Sequence, residues 1–126
     1  MSLKLLLIDD DDGYRSLLLE FLTSNGHSVW GFASAEEALR HMSAPEHEAP
    51  GLVLTDMCMD RMTGLELARA VRRAHPRVPI ILMTAFGERR LAEEALGLGR
   101  SGYLEKPFRL ADLAAEIGRV LAPDGG

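Results

Sequence analysis

Short apolar runs alternate with stretches of helical period along the chain. Leu3 to Ile8 precedes Tyr14 to Ser24, Val29 to Phe32 precedes Ala35 to Met42, and three further such pairs follow. That alternation is the pattern of βα units around a parallel sheet, and it predicts five strands and five helices. Ile80-Ile81-Leu82-Met83, after Pro79, is apolar throughout, as suits a strand covered on both faces. Ala35, Ala38, Leu39 and Met42 keep the spacing of one helix face, as do Leu110, Leu113, Ala114 and Ile117, so both stripes are predicted core. Ser34 with Glu37, and Thr63 with Glu66, are spaced as capping boxes, in which hydroxyl and carboxylate satisfy amide donors at a helix start. The third helix is expected from about Gly64 to Arg73, ending before His75-Pro76, and the fourth is expected to close at Gly97 and Gly99. Leu17, Leu18 and Leu19 span about 200° at roughly 100° per residue, so they cannot all face the sheet beside Phe21 and Leu22. One of them is predicted at the surface.

Length and charge narrow the picture. A chain of 126 residues makes one domain, read as residues 1–121 with 122–126 as a tail or the start of a linker. No apolar stretch approaches the roughly 20 residues that a membrane-spanning helix requires, and the start carries no secretory pattern. A single cysteine, Cys58, allows no internal disulfide, and a cytoplasmic location is expected. Net charge is −5, with two lysines, Lys4 and Lys106, and twelve scattered arginines. No basic stripe suits a phosphate backbone, so direct nucleic-acid binding is not expected.

Candidate chemistry gathers where the predicted strands end. Asp9 and Asp10 follow the first run, Asp56 follows Leu52-Val53-Leu54, Thr84 follows Met83, and Lys106 lies just beyond Gly102-Tyr103-Leu104. In an open parallel sheet the carboxyl ends of the strands share one crevice, where ligands bind. Three converging carboxylates repel one another unless a cation balances them. Magnesium is the natural partner, since it takes hard oxygen ligands and pairs carboxylates with phosphate oxygens, and Asp10 and Asp56 are the expected direct ligands. Lys106 supplies a compact positive charge and Thr84 a hydroxyl donor for phosphoryl oxygens. Asp11 and Asp12 read instead as a solvated turn that complements the helix dipole. His27, His41, His47 and His75 have no zinc-site spacing, and Met57 and Met59 read as core filling rather than soft-metal ligands.

Four blocks in order carry a resemblance: Asp9-Asp10; the segment Asp56 to Leu67; Thr84-Ala85; and Gly102-Tyr103-Leu104-Glu105-Lys106-Pro107-Phe108. From Lys4 to about Leu121 the chain resembles the receiver domain of two-component response regulators. The resemblance implies a flavodoxin-like, doubly wound five-stranded parallel sheet of order 2-1-3-4-5 with five helices. It implies Asp56 as phosphoacceptor from a histidine kinase or phosphotransfer protein. Asp10 would ligate magnesium directly, Asp9 largely through water, and the Cys58 main-chain carbonyl would add a further ligand. Thr84, Ala85 and Lys106 would contact the phosphoryl group, with a cis peptide between Lys106 and Pro107. Thr84 and Tyr103 would switch the face made by the fourth helix, fifth strand and fifth helix, which also admits a homodimer. Taken as a residue alone, Tyr103 reads equally as a half-buried strand aromatic. An exposed leucine near Tyr14 and Arg15 reads either as ordinary surface or as a docking point for a kinase helix.

Two departures stand out. Asp60 occupies the position where the family usually has proline, which bears on phosphorylation rate and phosphoryl lifetime, and Arg100-Ser101 replaces a small apolar pair. Phe86, two positions past Thr84, hints at slow dephosphorylation. The chain is expected to take one phosphate without turnover, so it is not read as an enzyme. The alternatives are a receiver-like docking or dimerisation module with weak phosphorylation, a small magnesium-dependent aspartyl phosphohydrolase, and a flavodoxin-like nucleotide or flavin binder. The last lacks a glycine-rich loop after the first strand.

Overall fold

The computed structural model describes residues 3–44, 49–57, 59, 61–85, 88, 90, 93–94, 97 and 100–122. In chain order the elements are β1 (Lys4–Ile8), α1 (Asp12–Ser24), β2 (Ser28–Phe32), α2 (Ala35–Met42), β3 (Leu52–Asp56), α3 (Gly64–Ala74), β4 (Ile80–Thr84), β5 (Ser101–Glu105) and α4 (Leu110–Leu121). The strands form one parallel sheet of order β2-β1-β3-β4-β5, the flavodoxin-like arrangement expected. Four helices are delimited among the described residues, against five expected. The expected helix between β4 and β5 falls largely outside those residues; within it Arg90, Glu93 and Glu94 are helical and Gly97 is in a turn, while Gly99 lies outside them.

Both faces of the central strands are covered, which is why their sequences are apolar without alternation. All five residues of β3 and of β4 are buried. The alternation is spatial instead, because successive side chains of a strand point to opposite faces. Leu5 and Leu7 pack with Leu18 and Leu22 of α1 and with Leu113, Ile117 and Val120 of α4. Leu6 and Ile8 pack with Ala35 and Ala38 of α2 and with Leu67, Ala68 and Val71 of α3. Each large aliphatic side chain so buried contributes about 1.5–3 kcal/mol.

Several boundaries and faces differ from the reading of the sequence. On α4 the buried stripe is Leu113, Ile117 and Val120, whereas Ala114 is exposed and Leu110 half-buried. A methyl side chain specifies a face weakly, so the larger Val120 sets the rotation. On α1, Leu18 is buried while both Leu17 (49% exposed) and Leu19 (37%) face out, two leucines rather than one. That helix starts at Asp12, ahead of the expected Tyr14, because Asp11 caps it by accepting the Tyr14 N–H. Thr63 and Glu66 form a reciprocal capping box at α3, and Ser34 accepts the Glu37 N–H at α2. β2 is an edge strand, and its Trp30 lies 39% exposed against the His41 ring of α2.

Candidate functional site

Because all five strands run the same way, their carboxyl ends form one rim, and the register decides which residues meet there. Ile8 pairs with Thr55, so the residues that follow, Asp9 and Asp56, stand side by side. Thr84 pairs with Glu105, which brings Lys106 over the rim from the outer strand, and the Lys106 N–H donates to the Thr84 carbonyl at 2.7 Å. The Lys106-Pro107 peptide is cis. Lys106 Nζ donates to Asp9 Oδ2 at 3.0 Å and lies 3.6 Å from Asp56 Oδ2.

One carboxylate oxygen from each of Asp9, Asp10 and Asp56 lies within 4.8 Å of the other two, the one such group among the described residues. Their exposures differ: Asp9 is sealed, Asp56 is 9% exposed, and Asp10 opens to solvent. Every polar atom of the sealed residue has a partner, as burial of a charge demands. The Asp9 N–H donates to the Phe32 carbonyl at 3.1 Å, and its own carbonyl accepts from Arg15 Nη1 at 2.7 Å. Asp9 Oδ1 accepts the Asp11 N–H at 2.9 Å, and Oδ2 accepts from Lys106.

For the Lys106 ammonium, burial alone lowers the proton affinity, but the hydrogen bond to Asp9 and the charges of Asp56 and Asp9 outweigh it, and the pKa is raised. Nζ also sits over the Tyr14 ring, 4.5 Å from its centroid. Burial, opposed by Lys106, raises the Tyr14 phenol. Three carboxylates against one ammonium leave two negative charges on hard oxygen donors, and that donor set fits a divalent cation of the magnesium type.

The other predicted site residues fall as follows. Thr84 is fully buried, its hydroxyl donating to the Leu104 carbonyl at 3.4 Å. The Ala85 N–H donates to Glu88 Oε1 at 2.7 Å. Tyr103 is partly buried against the Met57 and Leu82 cluster, and its N–H donates to Glu116 Oε2 at 3.2 Å. Cys58, Asp60, Phe86 and His47 lie outside the described residues. Asp12 pairs with Arg15 at 2.7 Å, so Asp11 and Asp12 serve the helix start. Met57 is buried and Met59 packs partly buried on the α2/α3 side, both filling core. Tyr14, Arg15 and Gly64 carry roles that reading the sequence did not assign, although a capped helix start right after the acids was the signal for the first two.

The model of the response regulator receiver domain family matches residues 5–118, nearly the whole of the described fold. The chain belongs to the response regulator receiver domains. This receiver domain is 39% identical over 118 residues to the response regulator protein FleR of Pseudomonas aeruginosa, covering 91% of this chain and 24% of that protein. It is 33% identical to the DNA-binding transcriptional regulator NtrC of Klebsiella pneumoniae, covering 92% of this chain and 24% of that one. Among solved structures, a response regulator receiver domain protein from Clostridium thermocellum superposes with a TM-score of 0.86 at 28% identity, covering 94% of this chain and 93% of that one. The chain spans about a quarter to about half the length of the curated relatives it matches. No helix among the described residues is long and apolar enough to cross a membrane.

Proposed function

We propose that this receiver domain takes a phosphoryl group on the Asp56 carboxylate from the phosphohistidine of a sensor histidine kinase or a phosphotransfer protein. The observation that carries the reading is the convergence of Asp56 with Asp9, Asp10 and the Lys106 ammonium at one open rim. An Asp56 carboxylate oxygen attacks phosphorus in line, the phosphorus–nitrogen bond of the donor breaks with its electron pair returning to the imidazole, and an acyl phosphate results. Asp10 and Asp56 would hold magnesium directly, Asp9 largely through water, and the Cys58 carbonyl would complete the protein ligands. When bound, the cation supplies charge neutralisation for the acids and the phosphoryl oxygens.

Lys106 shifts from its carboxylate partners toward the transferring oxygens. Thr84 and Ala85 offer a hydroxyl and an amide to the same group, the amide after exchanging its present Glu88 partner. Occupancy favours the conformation that engages Thr84 and repacks Tyr103, and so alters the face around β5 and α4 for a partner or a second copy. The domain, residues 1–121, acts in the cytoplasm without touching nucleic acid itself, and it takes one phosphate per chain rather than turning over substrate. Intact mass after acetyl phosphate and magnesium should show a gain of one phosphate. The gain should vanish in Asp56→Asn, and a variant that still labels fully would remove Asp56 from this role.

A further inference from the structure

The ammonium at the centre of the site has a partner that is not an acid. Asp11 accepts the Tyr14 N–H at 3.0 Å and Arg15 binds the Asp9 carbonyl, so the first turn of α1 is tied to the end of β1. That turn carries the Tyr14 ring to the rim. There it meets Phe108 edge-on, centroids 5.9 Å apart and planes at 79°, and Phe108 follows Pro107 on the segment that bears Lys106. Lys106 Nζ lies over the ring face, 4.5 Å from the centroid, within the range in which a cation is drawn to the ring quadrupole.

We infer that Tyr14 is a positioning residue for Lys106, its ring holding the ammonium at the rim while the charge of Asp56 is converted from carboxylate to acyl phosphate. This rests on the phosphoacceptor reading above. Lysine has a long stem with several rotatable bonds, and it is placed only as well as its partners place it. Of the three partners around Nζ, Asp56 is consumed by the reaction and Asp9 is shared with the cation site. The Tyr14 ring gains and loses no charge, so its attraction persists from free chain to product. The phenol hydroxyl is not needed for this role; the electron density of the ring face is.

Two measurements test it. Without any phosphoryl donor, the Lys106 ε-methylene protons should show an upfield ring-current shift in NMR spectra that disappears in Tyr14→Leu; unshifted protons in the wild-type chain would overturn the placement. With acetyl phosphate and magnesium, Tyr14→Leu should slow labelling of Asp56 at saturating donor by roughly 2- to 30-fold, and Tyr14→Phe should restore the rate. Progressive ring fluorination of phenylalanine at position 14 should lower the rate in step with the weakened ring face, a trend that shape alone does not produce. A loss under twofold in Tyr14→Leu, no rescue by phenylalanine, or a flat fluorination series each overturns the inference. Absence of labelling in the wild-type chain would instead sink the phosphoacceptor reading, and the ring-current shift would still report whether the contact exists.

Discussion

Gly64 stands against the main-chain carbonyl oxygen of Asp56 with no space between them for a side chain. A Cβ at position 64 would collide with that oxygen and lie 2.8 Å from the Met57 Cα, both of them backbone atoms that cannot swing aside. The Gly64 N–H meanwhile donates to the Met57 carbonyl at 2.9 Å, so the start of α3 is pressed onto the strand end that presents Asp56. Gly64→Ala should therefore cost about 1–3 kcal/mol, as overpacking does, and should slow phosphorylation by moving Asp56. Urea unfolding together with acetyl phosphate labelling checks both, and wild-type values for the two would show that the contact relaxes freely.

Removing one acid should relieve the rim. Asp10 adds a third carboxylate to a site with a single ammonium, and it is the most exposed of the three. In the presence of a chelator, Asp10→Asn should melt higher than wild type by about 2–6 °C. Magnesium should raise the wild-type midpoint, because a ligand bound by the folded chain stabilises it, and should raise that of Asp10→Asn far less. Equal magnesium responses would take Asp10 out of the cation site.

At the opposite end of the sheet, Arg72 spans three carbonyls. Its guanidinium donates to His75 at 3.3 Å, to Pro76 at 2.8 Å and to Arg100 at 3.0 Å, joining the end of α3 to the entry of β5. Burial lowers the proton affinity of this guanidinium. Arg72→Ala should cost about 2 kcal/mol or more, since the carbonyls lose a charged donor. Arg72→Lys should recover little, because a point charge cannot reach carbonyls on two separate segments as a planar fork does. Denaturant midpoints of the two variants decide the matter.

His27 should make the fold sensitive to mild acid. Its Nδ1 accepts the Leu3 N–H at 3.1 Å, which requires the neutral ring, and burial holds the imidazole below its ordinary value of 6.5. The unfolded chain then binds a proton more readily than the folded one. The stability from this contact is complete above the unfolded value and is lost as pH falls through the folded one. The urea midpoint should drop as pH falls below the ordinary imidazole value of 6.5, and His27→Gln should flatten that slope. A slope unchanged by the substitution would assign the pH dependence to other groups.

Much of this was legible in the chain because burial on two faces leaves a plain mark. Leu5 to Ile8, Leu52 to Leu54 and Ile80 to Met83 are apolar at every position, and each is a strand buried on both sides. Asp9 follows such a run directly and Asp10 and Asp56 stand within two residues of one, whereas Lys106 stands two residues past Gly102-Tyr103-Leu104 on the less buried edge strand. Helix faces were harder: Ala114 fits the stripe on α4 as well as Leu113 does, yet only the larger side chains bind strongly enough to set the rotation. Gly64 carried no local signal and Tyr14 only its place at a capped helix start, since what matters for each is a neighbour distant in sequence: Lys106 for the ring and the Asp56 carbonyl for the glycine.

Local sequence determined the order of strands and helices, the strand-end positions of Asp9, Asp10, Asp56, Thr84 and Lys106, and the caps at Asp11, Ser34 and Thr63, because periodicity and capping act within a few residues. Tertiary structure alone decided that Asp9 is sealed while Asp10 is open, that Lys106 reaches two carboxylates and a ring face, and that α3 leaves no room beside Asp56. Those outcomes depend on strand register and on how segments far apart in the chain stack, and no short stretch of residues contains that information.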